Sequence, residues 1–432
     1  MTSIKPRPPQ TKVKHTILEK YLNAWGGILI NGLRKQLTNI HLVYIDCNAS
    51  TGRFVGELED VVAKREAQLV YGSPIIGVRT LDSLANWARE TVGINIRTTS
   101  ILLENDAQTF NDLKESLVLA GLAHKIRETS NFSSLRDGEI AVLCEDSTFM
   151  ASQLVKYTQS GHKFSFFVLD PYGPKGIPLS FVGEIVRHPR HDVLINMPYQ
   201  DLLKKSGIVP KQKRSSIDEK LLENYNAMFG HRLWQTIVKE LDTDAMREGQ
   251  KSLHTDAPFS QKTMKARDLE LNLMNCYKES LLSVDQNLTV KSIGLRFPDK
   301  ERTMFYLYLT THDPTGAFKM NEVLWEAGYQ EHELRWGLKE SKKLKDGQLM
   351  MFDIPAPPLQ TSQRVSIEEI ATHILRLPTG KFIKKRDIYT ALVDELYFAK
   401  EIDQALRLLR KQKKISFESS LTNDTLITIE VS

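Results

Sequence analysis

Five short apolar runs, four of them closing on or beside an acid, constrain this chain more than any other feature. "HLVYID" ends at Asp46, "TSILLEN" near Glu104, "EIAVLCED" near Asp146, "KFSFFVLD" at Asp170 and "DVLINM" at Met197. Runs of this length and composition read as strands buried on both faces. Helix-period segments such as 73–90 and 106–120 lie between them and supply the crossovers that parallel strands require. The expected fold class is therefore α/β, a Rossmann-like doubly wound sheet.

After the fifth run, "VKSIGLRF" and "RTMFYLYLT" are separated only by "PDKE", too short for a helical crossover, so they demand a hairpin. Five parallel strands finishing in an antiparallel pair is the ordering of class I methyltransferases, whereas a dinucleotide dehydrogenase continues βαβ. Between the fifth strand and the hairpin lies an insert, roughly 199–287, helical in pattern and opened by the basic run "KKSGIVPKQKR". Placed at the carboxyl ends of the strands it could cover a substrate. Lys204, Lys205, Lys211, Lys213 and Arg214 are then candidate nucleic-acid contacts, and a solvated surface loop is the plain alternative.

The flanks divide off. In residues 1–38, "KHTILEKYLNAWGGILI" places His15, Leu18, Leu22, Trp25 and Leu29 three and four apart, one apolar helix face expected to pack on the edge of the next domain. The methyltransferase-like domain is expected over 39–330. A helix and the Pro-rich stretch "FDIPAPPLQTSQ" form a linker over 331–363. Beyond it, 364–432 reads as three short helices and a closing β-pair, a winged-helix-like domain that contacts either nucleic acid or protein.

Charge and cysteines narrow the classes. A net charge of +5 is compatible with nucleic acid without marking a dedicated binder. Cys47, Cys144 and Cys276 lie far apart, and neither CxxC nor HExxH occurs, so no metal and a reducing cytoplasm are expected. Neither a signal-peptide h-region nor an apolar run of about 20 residues is present, which predicts no membrane partner.

Ligands of open α/β sheets sit outside the carboxyl ends of the strands. Asp46, Glu104, Asp146 and Asp170 stand there, and buried carboxylates need partners. The first turn, "DCNASTG", is neither G-x-G-x-x-G nor a P-loop, but Asn48, Ala49, Ser50 and Gly52 are small enough for close backbone approach. Glu104 is placed to accept both hydroxyls of a ribose. Asp146, with Ser147 beside it, is placed to accept from an adenine amine. With Asp46 and the first turn under an amino-acid tail, the set describes S-adenosylmethionine; three unrelated polar strand ends are the alternative.

"LDPYGPKGIP" offers an acceptor site: Asp170 to hold an amine N–H of a base, Tyr172 to fix its ring, Pro171 and Gly173 to shape the turn. The base would have to be unstacked or flipped. D-P-Y-G is also an ordinary turn sequence. In "YGSPIIG", Ser73 is expected to cap a helix with Pro74 at its first position, which leaves a long first loop over 55–70, placed to act as a lid.

"KHTILEKYLNAW", "LVYIDCNASTGRF", "YGSPIIG", "VLDPYGPKGIP", "VLINMP" and "YLYLTTHDPTGAFKMNEVLW", in that order, resemble the three-Cys-motif partner proteins of bacteria and phages over most of 12–330. The resemblance implies a class I methyltransferase-like fold and a radical-SAM-like partner protein carrying the cysteine motif. The family's first turn reads close to D-x-F-A-G-P-G; here Cys47, Asn48, Ala49, Ser50 and Thr51 stand in that stretch, one glycine is lost, and Gly52 matches the last glycine. D-P-Y-G is also similar to the D-P-F-G of tRNA guanine-N2 dimethyltransferases, more than to the D-P-P-Y of adenine-N6 enzymes. Together these imply a methyltransferase-like protein acting on an exocyclic amine of DNA or RNA. A non-catalytic nucleotide-binding partner in phage defence or DNA processing is the rival.

Overall fold

The structure is a computed structural model that describes residues 4–36, 39–62, 68–206, 208–209, 213–240, 261–297, 302–345, 364–377, 382–418 and 420–429. Among the described residues ten strands precede residue 312: β1 (His41–Asp46), β2 (Arg53–Phe54), β3 (Val70–Tyr71), β4 (Arg97–Leu103), β5 (Ile126–Arg127), β6 (Ile140–Leu143), β7 (Lys163–Leu169), β8 (His191–Met197), β9 (Thr289–Arg296) and β10 (Thr303–Thr311). Eight of them form one sheet in the order β5-β6-β4-β1-β7-β8-β10-β9. It is parallel from β5 to β8, while β10 runs antiparallel to both neighbours. All five apolar runs and both hairpin strands are therefore strands, as expected. The short β5 and the β2–β3 ribbon were not legible, since two residues carry no period.

β1 is buried at every position. Its side chains alternate between two cores: Val43 and Ile45 face one, Leu42 and Tyr44 the other. Helices cover both faces. On the Leu42 side lie the helices Pro9–Leu33, Ser73–Trp87, Ala107–Leu119 and Pro314–Lys345; on the other lie Ser147–Gln159, Leu179–Val186 and the insert.

The N-terminal helix is not an appendage at the sheet's edge, as its pattern suggested. Tyr21 and Trp25 set their rings on Phe166 of the central strand β7, at centroid separations of 5.9 and 5.7 Å. The helix also packs against Ser73–Trp87 and Pro314–Lys345. Its apolar face completes a layer that the rest of the sequence leaves open. The boundary expected at 330 likewise falls inside a single helix, Pro314–Lys345.

The insert is helical, as its pattern indicated, with helices Tyr199–Ser206, Ser216–Phe229, Leu233–Glu240 and Gln261–Leu282; residues 241–260 lie outside the described residues. Tyr225, Phe229, Trp234 and Tyr277 extend the sheet's core into it. The Ser216–Phe229 helix packs beside the Pro174–Gly176 turn, which follows the D-P-Y-G string.

Residues 346–363, with the expected Pro-rich linker, lie outside the described residues; after them come helices Ile367–Arg376, Lys385–Ala391 and Ala399–Lys411 with a small antiparallel sheet, β11 (Phe382–Lys384), β12 (Ile415–Ser416) and β13 (Leu426–Ile429), in the order β11-β13-β12. This part has its own core, into which Phe318 of the Pro314–Lys345 helix inserts. Lys291 Nζ of β9 donates to Val393 O (2.5 Å) and Glu395 O (3.2 Å), and Asn321 Nδ2 donates to Glu395 O (3.0 Å) and Tyr397 O (2.8 Å). Among the described residues no helix is long and apolar enough to cross a membrane.

Two expectations follow for stability. A Cβ added at Gly77 would lie 2.2 Å from ring atoms of the buried Tyr44. Gly77→Ala should therefore cost about 2 kcal/mol or more by overpacking, read from urea unfolding. Asp192, buried at the start of β8, accepts from Tyr21 Oη at 2.9 Å and from Thr311 Oγ1 at 3.1 Å. Burial pushes its carboxyl up to about 7. A raised carboxyl favours the fold most below its unfolded pKa, and that contribution is lost as pH rises through the folded value. Thermal stability should thus fall as pH rises from about 4 to about 7 and level off above, read as Tm against pH. Asp192→Asn should flatten that slope.

Candidate ligand site at the carboxyl edge of the sheet

β6, β4, β1 and β7 are neighbours, so the four strand-end acids meet along one edge. Asp46 lies wholly beneath the first turn, at 0% exposure. It accepts from Asn48 N (3.2 Å) and Tyr44 Oη (3.2 Å). Burial, with the Asp170 charge adding to it, pushes its carboxyl up to about 6 against hydrogen bonds from Ser73, Asn48 and Tyr44. Asp46 therefore organises the turn from below, with its carboxylate engaged within the protein. Gly72, not Ser73, is the helix cap.

The turn itself is tied to the end of β4. Ala49 N donates to Leu103 O and Ser50 N to Glu104 Oε2, each at 2.9 Å, while Asp106 N donates to Glu104 Oε1, also at 2.9 Å. Both Glu104 oxygens thus hold backbone amides. A carboxylate offers about four lone-pair sites, so two remain for hydroxyl donors of a ribose. Ser50 takes φ 52° and Gly52 φ 69°. The left-handed angle at Ser50 costs roughly 1 kcal/mol that glycine would avoid.

Asp146 caps the Ser147–Gln159 helix, its Oδ1 accepting from Thr148 N (2.9 Å) and Thr148 Oγ1 (2.7 Å). Ser147 is buried behind it. Asp146 is thus a helix cap first, and only its second oxygen is left for an adenine amine. Phe149 and Tyr172 stand 82% and 90% exposed at the same edge, two unburied aromatic faces. Tyr172 Oη lies 3.4 Å from Ser50 Oγ.

Asp170 is held from three sides. Its Oδ2 is ion-paired with Lys14 Nζ, its Oδ1 accepts from Asn196 Nδ2 (2.5 Å), and its amide donates to Asn48 Oδ1 (3.2 Å). A cavity of about 10 Å³ lies among Lys14, His15, Ser73, Asp170 and Asn196. That is the room one water needs. Asn196 Oδ1 is buried and makes no hydrogen bond. Burial holds the His15 imidazole well below its usual range, with the Lys14 and Arg7 charges adding. Pro171 is buried, and Gly173 is extended at φ −168°, an angle that does not require glycine.

Arg7 ion-pairs with Glu57, and its amide donates to Gly56 O at 2.7 Å. The β2–β3 ribbon clasps the other side of the first loop. The loop expected as a lid is therefore anchored along its described parts, with residues 63–67 outside the described residues.

Of the basic run, Lys204, Lys205 and Lys213 are exposed. Arg214, also exposed, donates to Ile208 O (3.3 Å) and Val209 O (2.5 Å), closing its own turn. Lys211 lies outside the described residues. Lys14 and Asn196 were not singled out from the sequence. An asparagine in the apolar run "DVLINM" was the available signal for the second; for Lys14 there was none, because its partner lies 156 residues away. Among the described residues no group of three or more His, Cys, Asp or Glu side chains could hold a metal.

No protein-family model and no curated protein matches the chain. Among solved structures it is similar to protein LPL1258 of Legionella pneumophila strain Philadelphia 1, of the DUF519 family, with 9% identity and a TM-score of 0.32 over 69% of this chain and 85% of that one. A TM-score of that size does not establish a common fold.

The Lys14 and Asp170 side chains are 13% and 23% exposed, between the surface and buried cases. A double-mutant cycle of Lys14→Ala and Asp170→Ala, read by urea unfolding, should give a coupling of about 1–2 kcal/mol.

Proposed function

We propose that this chain is an S-adenosylmethionine-binding, class I methyltransferase-like protein of the three-Cys-motif partner type, acting on the exocyclic amine of a nucleic-acid base. The observation that carries the reading is the sheet order: six parallel strands, β5 to β8, followed by the antiparallel pair β10–β9, with the first turn, Glu104 and Asp170 at adjoining strand ends. The residues present fit the cofactor in kind. Glu104 keeps acceptor capacity for a ribose, Asp146 keeps one oxygen for an adenine amine, and Ala49 with Gly52 leaves the turn without bulk. The edge carries Glu104, Asp106, Glu145, Asp146 and Asp170, a negative rim that suits a cationic nucleoside and disfavours phosphates. S-adenosylmethionine, when bound, supplies an electrophilic methyl carbon.

On the acceptor side, Asp170 would accept the N–H of the incoming amine, and Tyr172 would stack its ring. Lys14 already neutralises Asp170, so the amine has to displace it or share the carboxylate. Lys204, Lys205 and Lys213 in the insert, and the C-terminal helices and sheet read as a winged helix, would hold the polynucleotide.

A second reading has its own support. The engagement of both Asp170 oxygens, one by Lys14 and one by Asn196, favours a non-catalytic nucleotide-binding partner that serves a radical-SAM-like protein in phage defence or DNA processing. Calorimetry separates the cases. S-adenosylmethionine should bind the wild type, Glu104→Gln should weaken it about tenfold, and Ser50→Gly should bind at least as tightly as wild type. No heat from the wild type removes the cofactor claim. Binding without transfer of labelled methyl to any DNA or RNA pool leaves the second reading standing.

A further inference from the structure

The helix Ala399–Lys411 divides its charges by face. Its buried side carries Ile402, Ala405, Leu406 and Leu409. Its two acids are engaged inside the molecule: Glu401 pairs with Arg364 and accepts from Phe398 N, and Asp403 accepts from Lys385 Nζ and Tyr389 Oη, each at 3.0 Å. The outward side is wholly different. Lys400 and Gln404 are followed by Arg407, Lys411 and Lys414 at steps of three and four, all exposed, with Arg410 and Lys413 beside them. Among the described residues none of these cations pairs with a carboxylate. Arg410 instead lies over the Phe417 ring, 4.7 Å from its centroid.

The helix dipole accounts for basic residues in the last turn only. It does not explain Lys400 or Arg407, nor Lys413 and Lys414 beyond the helix end. A row of cations without carboxylate partners on one face is the complement of a row of phosphates. We propose that this face docks into the major groove of B-form DNA, with Arg407, Lys411 and Lys414 on the phosphates and Gln404 turned to the base edges. The helix, 13 residues and so about 20 Å long, spans a groove about 12 Å wide with reach to its phosphate walls. An A-form RNA duplex, whose major groove is deep and narrow, does not admit it. The proposal does not rest on the cofactor reading, because it uses none of the residues at the sheet edge.

The test is fluorescence anisotropy of the full chain with a labelled DNA duplex of about 20 base pairs, over a salt series. The triple variant Arg407→Ala, Lys411→Ala, Lys414→Ala should bind roughly thirtyfold more weakly at moderate salt, and its log–log salt slope should be shallower by about 2–3. Lys35→Ala, exposed just past the N-terminal helix and outside the proposed face, should keep the affinity. Should the triple variant melt early, the single variants Arg407→Gln and Lys414→Gln each still predict a slope change near one. Failure of the wild type to bind the duplex at low salt, unchanged affinity and slope in the variants, or equal binding to duplex RNA of the same length would each overturn the proposal. Failure to bind S-adenosylmethionine would leave it untouched.

Discussion

Both faces of the central strands β4, β1, β7 and β8 are covered, and most of the molecule follows from that. A parallel strand such as β1, buried on both sides, is stable only if two layers of helices cover it. The crossover helices supply most of both layers. Over β7 and β8 the layer is completed from outside the crossovers, by the N-terminal helix and by Pro314–Lys345. Tyr21 and Trp25 on Phe166 are the contacts that fix this arrangement. The N-terminal helix is thus a structural part of the α/β body.

Covering both faces also decides where polar chemistry can sit. Polar groups that cannot leave the sheet collect at its two ends, and each carboxylate there has recruited donors. Asp192 at one end takes hydroxyls from Tyr21 and Thr311. At the other, Asp46 and Glu104 hold the first turn by its amides, and Asp170 draws Lys14 from the N-terminal helix. The same helix that closes one face therefore also reaches the candidate acceptor group. Burial of the layer and the state of Asp170 are consequently coupled.

The C-terminal part is attached by a different principle. Phe318 enters its core, while Lys291 and Asn321 capture three carbonyls of the 393–397 turn. Such carbonyls would otherwise lack partners at a buried junction. Burial pushes the Lys291 ammonium down to about 8, so the junction holds its charge less firmly than a surface lysine would. Docking from one side leaves the basic face of Ala399–Lys411 pointing outward.

The sequence by itself determined the fold class, because a period of two or a short apolar run reports directly which residues must be buried. The five strands, the closing hairpin, the helical insert and the acids at the strand ends were all legible on that basis. Roles were not. Asp46, Glu104 and Asp146 were read as ligand contacts, yet they bind backbone amides first, since a carboxylate at a strand end meets the next turn's N–H groups before any ligand arrives. Arg214 closes its own loop for the same reason: local backbone acceptors are nearer than a distant polyanion. Only the tertiary structure could join Lys14 to Asp170 or lay the N-terminal helix over β7. Such pairings depend on how chain segments over a hundred residues apart pack, and no local pattern of residues encodes that distance.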